Sequence, residues 1–157
     1  MPSKTINNRP PVVCLVGSTR FMEAFFAVGW RLTLAGHIVL SVGVCKHAEN
    51  HGGEALGQDV ADYLDELHLR KIDLADWVVV INVGGYIGES TKREVDYSKK
   101  QGKKIVYLFD IPIPDEPPGV DEWNSWAVIS SYADLALEEW LCDGGWEWIP
   151  EGRKAYE

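Results

Sequence analysis

The chain has 157 residues, 46% of them apolar and 25% charged, which is the composition of one globular domain with a sizeable core. Its formal net charge is −9 and it has no block of lysine and arginine, which argues against binding along a nucleic-acid backbone but leaves room for a small anionic ligand. No apolar stretch approaches the roughly 20 residues that span a bilayer, so we expect no membrane partner.

The amino-terminal residues and the cysteines both indicate the cytoplasm. Residues 1–11 are polar and lack the apolar core of a signal peptide. Cys14, Cys45 and Cys142 are odd in number and form no CxxC pattern, so we interpret them as reduced thiols, with Cys14 as a small core residue. No pair of histidines has metal-ligand spacing on a helix, and we predict neither a metal nor another cofactor.

Apolar runs alternate with helical patterns between residues 12 and 110. Short, wholly apolar runs are typical of parallel strands buried on both faces. The predicted strands are Val12–Val16, His37–Val42, Trp77–Ile81 and Lys104–Phe109. The predicted helices are Phe21–Ala35, closed by Gly36, then Gln58–Leu74, with Val60, Leu64, Leu67 and Ile72 as its apolar stripe, and Ser90–Gln101. This alternation predicts an α/β fold, a flavodoxin- or Rossmann-like three-layer sandwich with a mostly parallel sheet of four to five strands.

The segments outside this alternation have a different composition. We predict a polar lead-in at 1–11, one α/β domain at 12–110 and an extension at 111–157, with a loop at 43–57 inside the domain. Four prolines between residues 111 and 119 exclude a regular helix there. Five of the seven tryptophans fall in a partly helical segment between Trp123 and Trp148. They predict a cap on the domain or on a partner subunit, with a substrate-stacking surface as the alternative.

The turn after the first predicted strand reads Gly17-Ser18-Thr19-Arg20. Amides at a helix N-terminus, two hydroxyls and a guanidinium suit an anionic group, most naturally a phosphate. The glycine lets the backbone approach such a group closely. A second interpretation is a plain N-cap by Ser18 or Thr19, with Arg20 in solvent. The turn is neither a P-loop nor a GxGxxG fingerprint.

A glycine-rich turn follows the third predicted strand and leads into a helix that carries Glu94. Three glycines allow the chain a tight path there: Gly84, Gly85 and Gly88. Ligands of parallel α/β sheets bind at the carboxyl ends of the strands, where the Glu94 carboxylate would face them. Ser90 or Thr91 can cap the helix, and Glu94 could instead complete a capping box with either residue or pair with a nearby lysine.

Together these segments resemble the nucleoside 2-deoxyribosyltransferase superfamily, which includes the 2′-deoxynucleoside 5′-monophosphate N-hydrolases. The resemblance covers roughly residues 12–108. It rests on the Gly17–Arg20 turn, on Ile72–Asp76 before an apolar strand, and on the run from Glu94 to Gly-Lys before the next strand. Three features differ from the family pattern: His68 stands where an aspartate is usual, Asp96 where a glycine is usual, and Gly88-Glu89-Ser90-Thr91 where Gly-Val-Gly is usual.

The resemblance implies that the chain hydrolyses the N-glycosidic bond of a (deoxy)nucleoside 5′-monophosphate to free base and sugar 5-phosphate. Glu94 would be the nucleophile, and His68 would act beside it on the carboxylate or a sugar hydroxyl. The residues implied in substrate binding are Gly17, Ser18, Thr19, Arg20, Gly88 and Ser90. Tyr86 or Trp77 would pack near the base. The resemblance also implies a homodimer or higher homo-oligomer.

Three other functions remain open at this point. One is transfer of the sugar between nucleosides, as in the transferase branch. Another is a nucleotide-sensing domain without turnover, which the departures at His68 and Asp96 suggest. The third is an interaction protein that works through its tryptophan-rich extension.

Overall fold

The computed structural model describes most of the α/β region and part of a further helix. The described residues are 9–42, 57–119, 131, 133–134 and 136–138. Several features predicted above lie outside them: most of the lead-in, the loop at 43–56, most of the tryptophan-rich extension, Cys45 and Cys142.

Within the described residues, strands and helices alternate as predicted. The strands are β1 (Val12–Gly17), β2 (Ile38–Leu40), β3 (Trp77–Ile81) and β4 (Lys104–Tyr107). The helices are α1 (Met22–Leu34), α2 (Gln58–Leu74) and α3 (Glu89–Lys100). The bounds of β3 and α2 agree with the prediction, while β2 and β4 are shorter than predicted.

The four strands form one parallel sheet in the order β2-β1-β3-β4. β1 lies next to β3 in a register that pairs Val13 with Trp77 and Gly17 with Ile81. The chain leaves β1 into α1 on one face and leaves β3 into α3 on the other, so the carboxyl ends of these neighbouring strands form a topological switch point. The α/β three-layer prediction is confirmed.

Alternate residues of β1 belong to two separate cores. Val13 and Leu15 pack with α1 and with the buried Leu137 of the last described helix. Cys14 and Val16 pack under α2 and α3, together with residues such as Ile72. This alternation is the period-2 pattern of a strand covered on both faces.

The apolar stripe predicted for α2 is wrong at three of its four positions. Ile72 is fully buried, but Val60, Leu64 and Leu67 expose 37, 44 and 41% of their surface. The helix turns His68 and Ile72 toward the sheet instead. Two candidate stripes run along this helix, and their hydropathy does not decide which one the sheet covers.

Polar residues join the strands at both ends of the sheet. At the amino end, Asp76 accepts two hydrogen bonds from the Arg9 guanidinium, at 2.8 and 2.9 Å, and one from the Val12 amide at 2.8 Å. At the carboxyl end, the buried Asn82 amide group donates to the Phe109 carbonyl and accepts from the Phe109 amide, both at 2.8 Å. Asn82 thereby clamps the end of β3 to the segment that follows β4.

Candidate functional site

A cleft of about 560 Å³ lies between α2 and α3. α2 supplies a wall of carboxylates: Asp62, Asp65 and Glu66. α3 supplies the facing wall, with Ser90, Arg93, Glu94 and Tyr97. Residues three or four apart on a helix share a face, so one stripe of α3 brings these four side chains to the cleft. The structure therefore joins two of the predicted site residues, Glu94 and Ser90, in one wall.

The start of α3 differs from the capping predicted for it. The helix begins at Glu89, and its N-cap is Gly88, which makes no side-chain capping bond. The prediction that Ser90 or Thr91 caps the helix is therefore wrong. The capping-box interpretation of Glu94 is wrong as well, because that motif needs a serine or threonine N-cap three residues earlier.

Arg93 links the two walls of the cleft. Its guanidinium donates to the Ser90 hydroxyl at 3.2 Å and to an Asp65 carboxylate oxygen on α2 at 3.4 Å. Neither Arg93 nor Asp65 is a predicted site residue. The spacing of Ser90, Arg93 and Tyr97 along α3 is a sequence signal for that wall, but the facing position of Asp65 depends on how the helices pack.

The cleft is negatively charged. Its lining includes the carboxylates of Asp62, Asp65, Glu66, Glu94 and Asp96, against the cations of Arg93 and Lys100. Such a lining repels an anionic group and favours a neutral or cationic one. A phosphate is therefore expected to lie outside the cleft.

His68 is buried on the sheet side of α2, and it is not part of the cleft wall. Its Nε2 lies 3.0 Å from the Leu15 carbonyl oxygen and 3.8 Å from the Cys14 Sγ. A carbonyl only accepts, so Nε2 carries a proton and donates it to Leu15. Burial, reinforced by the nearby Lys71 cation, lowers the pKa of His68. The imidazole is consequently neutral at pH 7, with its tautomer set by this bond.

The Cys14 thiol is buried in β1, beneath α2 and α3. Burial, with a smaller contribution from the negative charge of Glu94, raises the pKa of Cys14 to about 12 against the opposing effect of the Lys71 cation. The thiol is thus protonated and unreactive at neutral pH, as its predicted role in the core requires.

The predicted phosphate turn lies at the carboxyl end of β1, apart from the cleft wall. A Cβ on Gly17 would stand 2.6 Å from the Ile81 carbonyl oxygen, so the close approach of β3 alone requires glycine. The Ser18 hydroxyl accepts from the Arg20 amide at 3.4 Å, which agrees with the N-cap interpretation. Thr19 is half-buried and Arg20 is exposed.

The two aromatic residues considered as partners of the base lie at opposite ends of the sheet. Trp77 is fully buried at the amino end of β3, where its ring makes an edge-on contact with His37 at 5.4 Å between centroids. It is remote from the carboxyl ends of the strands, so that prediction is wrong. Tyr86 follows β3 on the correct side of the sheet and is half-buried beside Gly88. Its contact with a base stays a prediction.

Two kinds of feature are absent from the described residues. There, no group of three or more histidine, cysteine, aspartate and glutamate side chains is arranged to hold a metal ion. None of the helices in the same residues is long and apolar enough to cross a bilayer. No protein-family model matches the chain, and no curated protein matches it either.

Proposed function

We propose that the chain cleaves the N-glycosidic bond of a (deoxy)nucleoside 5′-monophosphate and that Glu94 is the nucleophile. The observation that supports this proposal best is the Glu94 carboxylate in the wall of a cleft large enough for a nucleoside. The cleft lies between α2 and α3, and α3 begins at the switch point of the parallel sheet, the usual location of ligands in this architecture.

The chemistry follows from a carboxylate beneath a sugar. As the bond to the base breaks, positive charge develops at the anomeric carbon, and an adjacent carboxylate stabilises it. Glu94 bonds to that carbon while the base leaves with the bonding electron pair and takes a proton from solvent. Water then attacks the same carbon, releases the sugar phosphate and restores the carboxylate. The other carboxylates of the cleft favour this cationic transition state.

Substrate positioning is assigned to the turn at the end of β1. Ser18 and the exposed Arg20 would hold the 5′-phosphate outside the acidic cleft, with the amides of Gly17 and Thr19 beside them. Gly88 and Ser90 would border the sugar at the start of α3. Binding energy from the phosphate then orients the anomeric carbon over Glu94. His68 donates its Nε2 proton to the Leu15 carbonyl, so it would hold α2 against β1 rather than transfer that proton to the substrate.

The acidic lining favours a second candidate, transfer of deoxyribose between nucleosides. A nucleoside has no phosphate, so the carboxylates around Glu94 would not oppose its binding. In that reaction a second base, in place of water, attacks the glycosyl–Glu94 intermediate. Arg20 would then have no part in substrate binding.

Free base released from a panel of nucleosides and nucleoside 5′-monophosphates, ribo and deoxy, tests both candidates. We expect release from at least one monophosphate and a loss of about 1,000-fold or more in kcat for Glu94→Gln, because the amide cannot form the intermediate. Glu89→Gln is the matched control, since Glu89 lies on the same helix, is exposed and pairs with Lys92 at 3.2 Å. It should leave the rate unchanged.

The Arg20→Ala variant separates the two candidates. Hydrolysis of a monophosphate predicts a raised KM with Arg20→Ala, whereas transfer between nucleosides predicts no change. Binding of nucleotides without any release of base would refute both candidates and leave a sensor.

A further inference from the structure

Two residues line the cleft between α2 and α3 and also pack on the core beneath it. They are Leu69 of α2 and Tyr97 of α3. The other side chains of the lining are charged, amide or hydroxyl groups. Leu69 and Tyr97 therefore give a polar cleft one apolar surface, which we refer to as the apolar floor.

Hydrogen bonds to the C-terminal part of α2 hold the Tyr97 ring in place. Its hydroxyl donates to an Asp73 carboxylate oxygen at 2.5 Å and accepts from the Arg70 guanidinium at 3.1 Å. The guanidinium carbon of Arg70 lies 5.7 Å from the centroid of the ring. The hydrogen bond to Asp73 raises the pKa of Tyr97, so the hydroxyl stays protonated near neutral pH. Neither Arg70 nor Asp73 lines the cleft, so both hold the ring from outside it.

We propose that the apolar floor is the subsite for the nucleobase and that the base stacks on the Tyr97 ring. A base has apolar faces and polar edges, and its faces stack on aromatic side chains. Its edges would meet the polar walls, where the carboxylates accept hydrogen bonds from amino and imino groups. A ring whose position is already fixed loses little conformational freedom when a ligand binds. The inference rests on the proposed function for its choice of ligand.

The order of residues along α3 agrees with the order of parts in a nucleoside 5′-monophosphate. Tyr97, Glu94 and Ser90 follow one face of the helix toward its start. That start follows the carboxyl end of β3, and the Gly17–Arg20 turn lies at the same end of the neighbouring β1. A base on Tyr97 would therefore bring its anomeric carbon to Glu94 and direct the 5′-phosphate toward the turn. The reverse orientation would direct the phosphate to the amino end of the sheet.

Binding of two probes to the Glu94→Gln protein, measured by calorimetry, tests the subsite without turnover. The probes are 2′-deoxyadenosine 5′-monophosphate and 2-deoxyribose 5-phosphate, which has the same sugar phosphate without the base. We expect Tyr97→Leu, added to Glu94→Gln, to weaken binding of the nucleotide by about tenfold or more. Binding of the sugar phosphate should not change. Tyr97→Phe keeps the ring and should bind both probes within about threefold of the parent protein.

Tyr63→Leu is the matched control for the loss of a tyrosine. Tyr63 lies on α2, is 65% exposed and does not line the cleft, so this variant should bind both probes like the parent. Leu69→Gln changes the other half of the apolar floor and keeps a side chain of similar length. It should also weaken binding of the nucleotide alone, and it tests the subsite even where Tyr97→Leu does not fold.

An equal loss for both probes would assign Tyr97 a structural role and overturn the proposal. Nucleotide binding that Tyr97→Leu leaves intact would overturn it as well. So would a parent protein that binds the nucleotide no better than the sugar phosphate, because every base has a face that can stack.

The result is distinguishable from that for the proposed function. Nucleotide binding that depends on Tyr97, without release of base by the wild type, would support the subsite and refute the enzyme. Release of base that needs Glu94 but has the same KM in Tyr97→Leu would refute the subsite and support the enzyme.

Discussion

The two ends of the parallel sheet are held together by different kinds of interaction. At the amino end a charged pair does this, because Asp76 accepts from the Arg9 guanidinium and from the Val12 amide. At the carboxyl end the interactions are neutral. Asn82 clamps Phe109, and Gly17 lets β1 approach Ile81 closely.

The pH-dependent interaction therefore lies at the amino end of the sheet, away from the carboxyl end where a ligand is expected. The Asn82–Phe109 hydrogen bonds and the close approach of Gly17 to Ile81 at the carboxyl end involve no titrating group. The amino end depends on an ionised carboxylate. Although burial by itself raises the pKa of Asp76, the hydrogen bonds from Arg9 and Val12 outweigh it and hold that pKa below its usual value. The following three substitutions test this comparison.

Asn82→Ala should have the largest effect on the free energy of unfolding. It removes two buried hydrogen bonds and deprives both backbone groups of Phe109 of these partners, for an expected loss of about 3 kcal/mol. Urea unfolding measures the loss, which should be the same at pH 5 and pH 8. Asn82→Asp keeps an acceptor but loses the donor, so it should recover only part of the stability. A loss below about 1 kcal/mol would show that Asn82 is not a clamp.

Gly17→Ala should have the second-largest effect and lower the free energy of unfolding by about 2 kcal/mol, because the added Cβ would stand 2.6 Å from the Ile81 carbonyl oxygen. Thermal unfolding by circular dichroism measures it. The control is Gly119→Ala, since a Cβ on Gly119 meets no atom within 4 Å. If both variants were equally stable, the close approach at the carboxyl end would be wrong.

Asp76→Asn should have the smallest effect and the only one that depends on pH. The expected loss near pH 7 is about 1 kcal/mol, because an amide replaces a partly exposed ionised acceptor. The folded-state pKa of Asp76 is lowered, so its contribution is complete above the unfolded-state value and disappears as pH falls through the folded-state value. The wild type and the variant should therefore converge in stability at acidic pH. A difference that stays constant down to pH 2 would contradict the ionic description of this end.

Much of the fold was predictable because short, wholly apolar runs are usually parallel strands buried on both faces. Strand β3, Trp77–Ile81, is buried at all five positions, and a run of that kind is stable only between two layers of helices. α2 illustrates the limit. Its bounds were correctly predicted, but its inner face was not, because the stripe through Leu67 and the stripe through His68 compete and only the packing on β1 selects between them.

The candidate site was predictable in its elements but not in its grouping. Glu94 and Ser90 share one wall of the cleft because they lie four residues apart on α3. The acidic wall formed by Asp65 and its neighbours belongs to α2, and Asp65 lies 28 residues before Arg93 in the sequence. No local sequence pattern therefore predicts that this wall faces α3. Trp77 was predicted near the base, yet its position at the start of β3 puts it at the opposite end of the sheet.

The sequence by itself determined the alternation of strands and helices, the parallel sheet and the helix that carries Glu94, because these depend on local periodicity and on burial of apolar runs. Only the tertiary structure decided which flank of α2 faces the sheet, that the Glu94 cleft is acidic, and that the Gly17–Arg20 turn stands apart from it. These properties depend on side chains distant in sequence, whose charges and volumes act on one another only once the layers have packed.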